Sequence, residues 1–185
     1  MGKISKHHRH VVFETSWGFC GLGGVGDCLR YSTLPVSGTA EALELIAARQ
    51  SDSRYDAALF GDLQKQVRAY FEGTYVDFSD VPADLSNMST FSRHVLAACR
   101  SIPYGQTASY ARLAAIAGSP RAIRAAGSVM AANPLPLIIP CHRIIRSDGR
   151  VGSFSATGGP QLKVRLLAVE AQGACGDMRR QALVV

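Results

Sequence analysis

Ser109-Tyr110-Ala111-Arg112-Leu113-Ala114-Ala115-Ile116-Ala117-Gly118-Ser119-Pro120-Arg121-Ala122-Ile123-Arg124-Ala125-Ala126-Gly127-Ser128-Val129-Met130 holds two helical patterns separated by one glycine. Gly118 closes the first. Ser119 followed by Pro120 is the residue order that caps a second helix and fills its first position. Two helices across a tight glycine-containing turn give the outline of a helix-turn-helix. On a wheel of about 100° per residue, Arg121, Arg124, Ala125 and Ser128 share one side of the second helix. Ala122, Ile123, Ala126 and Met130 share the other and can pack inward. The outward side carries no Asn, Gln or Glu to read base edges in a major groove. Small side chains with a few arginines suit a close, sequence-blind approach of the minor-groove kind. An alanine-rich core helix is the competing structural reading.

The charge balance supports a polyanion partner for this half. The chain has 185 residues and a formal net charge of +6, unevenly spread. Residues 1–85 hold eight Lys/Arg against eleven Asp/Glu; residues 86–170 hold ten against only Asp148 and Glu170; residues 171–185 hold two against Asp177. Nine of the ten cations in the middle segment are arginine, the side chain suited to phosphate and base contact. The expected organisation is a mildly acidic module over 1–85, a basic one over 86–170, and a tail over 171–185 of unspecified order. Composition is ordinarily globular, 47 % hydrophobic and 18 % charged, which excludes disordered, collagen-like and coiled-coil classes. No run approaches the roughly 20 apolar residues of a membrane span. The basic start MGKISKHHRH leads into VVFETSWGF rather than an apolar segment with a cleavage site, so the expected location is the cytoplasm.

Working towards the N-terminus, His10–Thr15, Phe19–Leu22 and Cys28–Ser32 read as three short strands of an antiparallel meander, with Gly21, Gly23, Gly24 and Gly26 in the turns. These glycines match neither a dinucleotide fingerprint nor a P-loop. Thr39 is placed as the cap of a helix over Ala40–Gln50. A second helix over Asp62–Glu72 presents Leu63, Val67, Tyr70 and Phe71 as one stripe and stops at Gly73. Ser92–Ser101 reads as the helix that opens the basic module, packing Phe91, Val95, Leu96 and Cys99.

Chemistry concentrates after Asn133, in Pro134-Leu135-Pro136-Leu137-Ile138-Ile139-Pro140-Cys141-His142-Arg143-Ile144-Ile145. A cysteine in an apolar run is most often a small buried hydrophobe. Here His142 and Arg143 follow it, and cationic neighbours favour the thiolate, the reactive form. A thiolate nucleophile needs a base and a group to orient that base. His142 is the nearest base, and Glu170 or Asp148 the only acids in this half. The five cysteines, Cys20, Cys28, Cys99, Cys141 and Cys175, show no CxxC and no disulfide framework.

Ile139-Pro140-Cys141-His142-Arg143 preceded by Asn133-Pro134 resembles the active-site signature of the O6-alkylguanine-DNA alkyltransferases, the methylated-DNA–protein-cysteine methyltransferases. The likeness covers residues 90–170 through Phe91, Val95, Ile102-Pro103-Tyr104-Gly105, Ser109-Tyr110, Leu113-Ala114, Arg121 to Gly127, Leu166-Leu167 and Glu170. In the first module only Tyr70-Phe71-x-Gly73 and Asp77-Phe78 match. The resemblance implies irreversible, single-turnover transfer of an alkyl group from O6 of guanine to Cys141, with O4-alkylthymine an open second substrate. Glu170 and His142, through a water, then deprotonate Cys141. Asn133 holds the active-site turn, and Tyr110 protonates the departing guanine and helps turn the nucleotide out. Arg124 fills the gap as an arginine finger, with Arg121, Ser128, Ala125 and Arg112 also against DNA. Pro136, Phe154, Ser155 and Ile144 line the substrate pocket. The partner is double-stranded DNA containing O6-alkylguanine. No metal, no small-molecule cofactor and no membrane are expected, and a monomer is.

Three features depart from the family. Phe154 stands where tyrosine is common, and the loop Ser155-Ala156-Thr157-Gly158-Gly159 looks longer, which bears on the alkyl groups accepted. His7, His8, His10, Cys20 and Cys28 do not fall at the positions where some relatives bind zinc. The alternative function is a non-catalytic alkylation-damage sensor or DNA-binding regulator; retention of Cys141 argues against it. A cysteine hydrolase lacks any sign of an acyl substrate. The expected fold is α/β: an antiparallel-sheet, ribonuclease-H-like module followed by a mostly helical, winged-helix-like one.

Overall fold

Alternating inward residues Val11, Phe13 and Thr15 bury one face of the first strand, β1 (Arg9–Thr15), the period-two signature of a half-buried sheet. The computed structural model describes residues 8–181, with side chains to residue 174. β2 (Gly18–Val25) and β3 (Cys28–Ser32) continue the expected antiparallel meander, with Val11 opposite Leu22 and Phe13 opposite Cys20. A two-residue strand that the sequence reading missed, β4 (Arg54–Tyr55), adds to β1 in parallel. The sheet, ordered β3-β2-β1-β4, is therefore mixed rather than purely antiparallel. Gly21, Gly23 and Gly24 lie inside β2 and not in turns. Their role is space: a Cβ on Gly23 would fall 2.0 Å from the Tyr31 ring.

α1 (Thr39–Ala47) packs on β2 and β1, and α2 (Gly61–Phe71) on β1. Thr39 is the first residue of α1 and not its cap. Gly38 takes the cap position without a side-chain bond, while Ser37 bonds Glu41 of the first turn through Oγ at 2.8 Å. The stripe Leu63, Val67, Tyr70 and Phe71 is buried as expected, joined by Gln64. Val76 and Phe78 carry the chain across extended and buried. Arg100 fixes this crossing by donating to the carbonyls of Phe78 and Val81 at 2.8 and 2.6 Å.

In the basic half α3 (Thr90–Arg100), capped by Ser89, buries Val95, Leu96, Ala98 and Cys99 against α4 (Tyr110–Ile116) and α5 (Ile123–Ala131). Ser109 caps α4 by accepting the Arg112 N–H at 3.1 Å. The second helix of the pair starts later than expected. Ser119 and Pro120 form a turn of their own, closed by Ala122 N–H to Ser119 O at 2.9 Å, and α5 begins after Ala122 without a side-chain cap. Arg121 thus sits in the turn and Arg124 in the first turn of the helix. Ile123, placed on the apolar side from the wheel, is 41 % exposed at the first position of α5, while Ala126, Val129 and Met130 further along are buried.

β5 (Ala108–Ser109) and β6 (Ile144–Ile145) pair in parallel. They tie the start of α4 to the segment that follows Cys141. α6 (Gly159–Gln181) runs through position 170 without a break, so residues 171–181 are helical. One contiguous apolar core spans both halves. The active-site turn is sewn to the sheet: Ser32 donates its N–H to Pro134 O at 3.0 Å and its hydroxyl to Pro136 O at 2.8 Å. Among the described residues no helix is long and apolar enough to cross a membrane, and no group of three or more His, Cys, Asp and Glu side chains is placed to hold a metal ion. His7 lies outside the described residues.

Gly105 tests this architecture. Its φ is +73°, and an added Cβ would lie 2.9 Å from that of Ala174 in α6. Gly105→Ala should lower stability by about 1–3 kcal/mol, read as the midpoint of urea unfolding. An unchanged midpoint would contradict the close approach of α6.

Candidate active site

Asn133 closes the turn that presents the cysteine. Its Nδ2 donates to Ile139 O at 2.8 Å and its Oδ1 accepts the Leu135 N–H at 3.0 Å, so both ends of the buried carboxamide are used. Leu137, at the tip of this turn, is held at φ +75°. That region costs a branched residue about 1–3 kcal/mol and persists only where surroundings dictate it. A short 3-10 turn, Cys141–Arg143, follows, with all three side chains buried.

The three diverge from that turn towards different partners. His142 Nε2 lies 2.8 Å from Glu170 Oε1. Arg143 donates through Nε to Glu170 Oε2 and through Nη2 to Oε1, both at 2.9 Å, while its Nη1 reaches Ile102 O at 2.6 Å. Tyr70, from α2, donates its hydroxyl to Glu170 Oε1 at 2.9 Å, and the Gly105 N–H donates to Oε2 at 3.1 Å. The fully buried Glu170 carboxylate is thereby surrounded by donors. Burial raises its pKa, but the hydrogen bond from His142 and the charge of Arg143 outweigh this and hold it at about 2. Burial also pushes His142 below its ordinary value, against the opposing pull of Glu170. The imidazole is therefore neutral at neutral pH, with Arg143 as the permanent counter-charge. Nε2–H faces the carboxylate, leaving Nδ1 as the basic atom; it bonds no described residue. Of the two acids open from sequence, Asp148 is exposed and pairs with Arg146 at 3.1 Å. Glu170 is the one beside the histidine.

Burial pushes the Cys141 thiol above its ordinary pKa, opposed by the nearby Asn133 carboxamide and the charge of Lys163. The cation acting on the thiol is thus Lys163, and not the adjacent Arg143 that the sequence suggested, because Arg143 is spent on Glu170. Lys163 is itself buried, donates to Ile144 O at 2.5 Å and sits 5.8 Å from the Phe154 ring centroid.

Cys141 lines two cavities. One, of about 140 Å³, is bounded by Tyr110, Gly127, Met130, Phe154 and Lys163. The other, of about 180 Å³, opens towards the first module past Pro136, Thr33 and Arg49. Phe154 and Ser155 line both, and the Ser155 hydroxyl donates to Ala131 O at 2.9 Å. Ile144, expected in the pocket wall, lines neither; it is fully buried and pairs with Ala108 in the small sheet. Arg112, Arg121, Arg124, Ala125 and Ser128 are all exposed, and Tyr110 at the start of α4 is half-buried.

Sequence reasoning missed Tyr70, Gly105 and Lys163, and it saw Arg143 only as a nearby charge. Arg143 was findable, since an arginine beside a buried acid seldom stays unpaired. Tyr70 looks like any other residue of a helix stripe, and its partner lies 100 positions away.

The model of the 6-O-methylguanine DNA methyltransferase DNA-binding domain matches residues 90–172. The chain is 45 % identical to the methylated-DNA–protein-cysteine methyltransferase of Methanothermobacter thermautotrophicus over 58 % of its own length and 59 % of that protein. It is 49 % identical to the mouse enzyme over 44 % of its own length and 38 % of that protein. The chain therefore aligns with less than two thirds of either relative. The crystal structure of Mycobacterium tuberculosis OGT in complex with DNA superposes with a TM-score of 0.75 at 31 % identity, covering 88 % of this chain and 92 % of that one. The chain belongs to the methylated-DNA–protein-cysteine methyltransferase family.

The Glu170 cluster has a pH signature. A carboxyl whose pKa drops from 4.5 to about 2 on folding adds stability at neutral pH that disappears as pH falls across that interval. Following the Glu170 carboxyl by NMR should show titration near the lower value; titration near 4.5 would contradict the cluster. Glu170→Gln, which leaves the Arg143 charge buried and unpaired, should cost about 3–5 kcal/mol at pH 7.

Proposed function

We propose that this protein repairs DNA directly, by moving an alkyl group from O6 of guanine onto Cys141 in one irreversible turnover. The observation that carries the reading is the position of Cys141. It lines the cavity that begins at Tyr110, at the head of a helix-turn-helix, and it adjoins a buried His142–Glu170 pair. Family membership supports the same chemistry. In this reading Nδ1 of His142 takes the thiol proton through a water, while Glu170 stabilises the imidazolium that forms. The raised thiol pKa keeps Cys141 protonated at rest, so its nucleophile forms only as the proton is passed on. Sγ then bonds to the alkyl carbon as the carbon–O6 bond breaks. The electron pair goes to the guanine, and Tyr110 supplies the proton that makes the leaving group neutral. A thioether has no easy reverse, so each molecule acts once. Asn133 positions the cysteine turn throughout.

A stacked base cannot reach a buried thiol, so the nucleotide leaves the duplex at a cost of a few kcal/mol. Arg124, exposed in the first turn of α5, is the side chain proposed to fill the gap. Arg121, Arg112, Ser128 and Ala125 form the rest of the DNA-facing surface, and arginine–phosphate contacts supply salt-dependent affinity. Residues 1–85 are read as a ribonuclease-H-like module and 86–170 as a winged-helix-like one. A sensor without turnover has no need of a cysteine so placed, and Cys141 lining both cavities disfavours that alternative.

Incubation with a duplex carrying one O6-methylguanine, followed by intact mass and peptide mapping, should place a single added CH₂ unit on Cys141. Cys141→Ala should bind the duplex and gain nothing; transfer retained in that variant would overturn the assignment. Arg124→Ala should slow reaction with duplex by about tenfold or more while sparing reaction with free O6-alkylguanine, since only the former requires extrusion. Equal losses on both substrates would rule out a finger.

A further inference from the structure

The segment 146–152 leaves and rejoins the wall of the cavity of about 140 Å³ at Cys141. β5 and β6 are parallel, with Ser109 opposite Ile145. The chain therefore leaves both strands at the same end, through Tyr110 in one and Arg146 in the other. Ser153 and Phe154, which follow the segment, line the same cavity as Tyr110 and Cys141. Between these two anchors the chain folds into a tight hairpin. Arg146 N–H donates to Arg150 O at 2.9 Å and Gly149 N–H to Arg146 O at 3.0 Å, with Gly149 at φ +80°. The hairpin thus stands beside the entrance that Tyr110 marks.

Every residue from Arg146 to Arg150 is exposed, yet the two arginines are held together. Asp148 Oδ2 lies 3.2 Å from Nε and 3.1 Å from Nη2 of Arg146, and 3.9 Å from Nε of Arg150. Its Oδ1 accepts the Arg150 N–H at 3.0 Å. The stem of Arg146 also crosses Gly152, where an added Cβ would fall 3.3 Å from Cγ. Exposed ion pairs of this kind add little to stability. What the arrangement does is converge two guanidinium groups on one carboxylate, leaving one positive charge in surplus at the cavity entrance.

We propose that Arg146 and Arg150 grip the backbone phosphates that flank the nucleotide once it has swung into the cavity, and so favour the extruded state over the stacked one. The inference rests on the alkyl-transfer reading above and deepens it. A base that enters past Tyr110 stays bonded to its strand, so its flanking phosphates lie at the entrance, where the hairpin is. Guanidinium groups match phosphate oxygens with paired N–H donors. The hairpin and Arg124 have different targets. Arg124 is proposed to act on the stack that the base leaves, whereas the hairpin acts on the stretch of backbone that moves with the base. Since the contact forms only after extrusion, it shifts that equilibrium and adds little to affinity for an undamaged duplex.

The test uses two duplexes of identical sequence, each with one O6-methylguanine. One has ordinary phosphates, and the other has neutral methylphosphonate linkages on both sides of the lesion. Single-turnover transfer to Cys141 is measured at saturating protein. On the ordinary duplex, Arg146→Ala/Arg150→Ala should react about tenfold more slowly than the wild type, and Arg146→Lys/Arg150→Lys should recover part of the loss. The neutral linkages should slow the wild type markedly and the double alanine variant much less, because its partners for those phosphates are already gone. Equal slowing of both proteins by the neutral linkages overturns the proposal. So does a double alanine variant that binds undamaged duplex more weakly but keeps the wild-type saturating rate, which would make the hairpin a general phosphate contact. No transfer from the ordinary duplex to wild-type Cys141 removes the alkyl-transfer reading, and this inference with it.

Discussion

The buried carboxylate of Glu170 is the point on which the two halves of this protein agree. A bare ion in such a place would cost several kcal/mol. It is tolerated because donors arrive from three separate parts of the chain: Tyr70 of α2, Gly105 of the loop after α3, and His142 with Arg143 of the 3-10 turn. Each of those segments is fixed in turn by meeting the carboxylate. Tyr70 pins the sheet module, Gly105 the approach to the helix-turn-helix, and His142 with Arg143 the reactive turn. The same hydrogen bonds that make the charge affordable also set the tautomer of the base next to the thiol.

That arrangement separates two electrostatic tasks that the sequence places side by side. Arg143 and His142 are neighbours, yet the first neutralises the acid permanently and the second stays uncharged. Lys163, from α6, is the cation that acts on Cys141. A thiol surrounded by apolar residues, with one cation in range, is held protonated at rest. Under the proposed reading, this suits a thiol that must persist until its substrate arrives. A freely ionised thiolate would be exposed to oxidation and to stray electrophiles.

Much of this was legible in the sequence, and the failures have identifiable causes. The meander, the α2 stripe and the α3–α4 order followed from periodicity, since each buries one face of a regular element. The start of α5 did not, because Ser119 and Pro120 form a good cap whose turn closes on itself before the helix begins. β4 is too short for any pattern. The site divides along the same line. Cys141, His142 and Asn133 stood out because they are contiguous or nearly so, and Glu170 because acids are scarce in the basic half. Tyr70 and Lys163 were invisible: their roles come from tertiary neighbours, and nothing local distinguishes them from an aromatic in a stripe or a lysine on a helix. Ile144 was misplaced for the opposite reason. Nearness in sequence to the cysteine suggested the pocket, while strand pairing turned its side chain into the core.

The bond between Tyr70 and Glu170 spans 100 residues of chain, so it is a contact of high sequence separation. Contacts of such separation are slow to form, because loop-closure entropy must be overcome before they add anything. Until α2 docks, the carboxylate lacks one of its donors, and until β3 docks the turn carrying Cys141 is not tied to Ser32. A newly made chain therefore carries an ordinary cysteine, and its reactivity is a property of the finished molecule. Under the proposed single-turnover reading, completion of folding thus acts as a safety catch on the thiol.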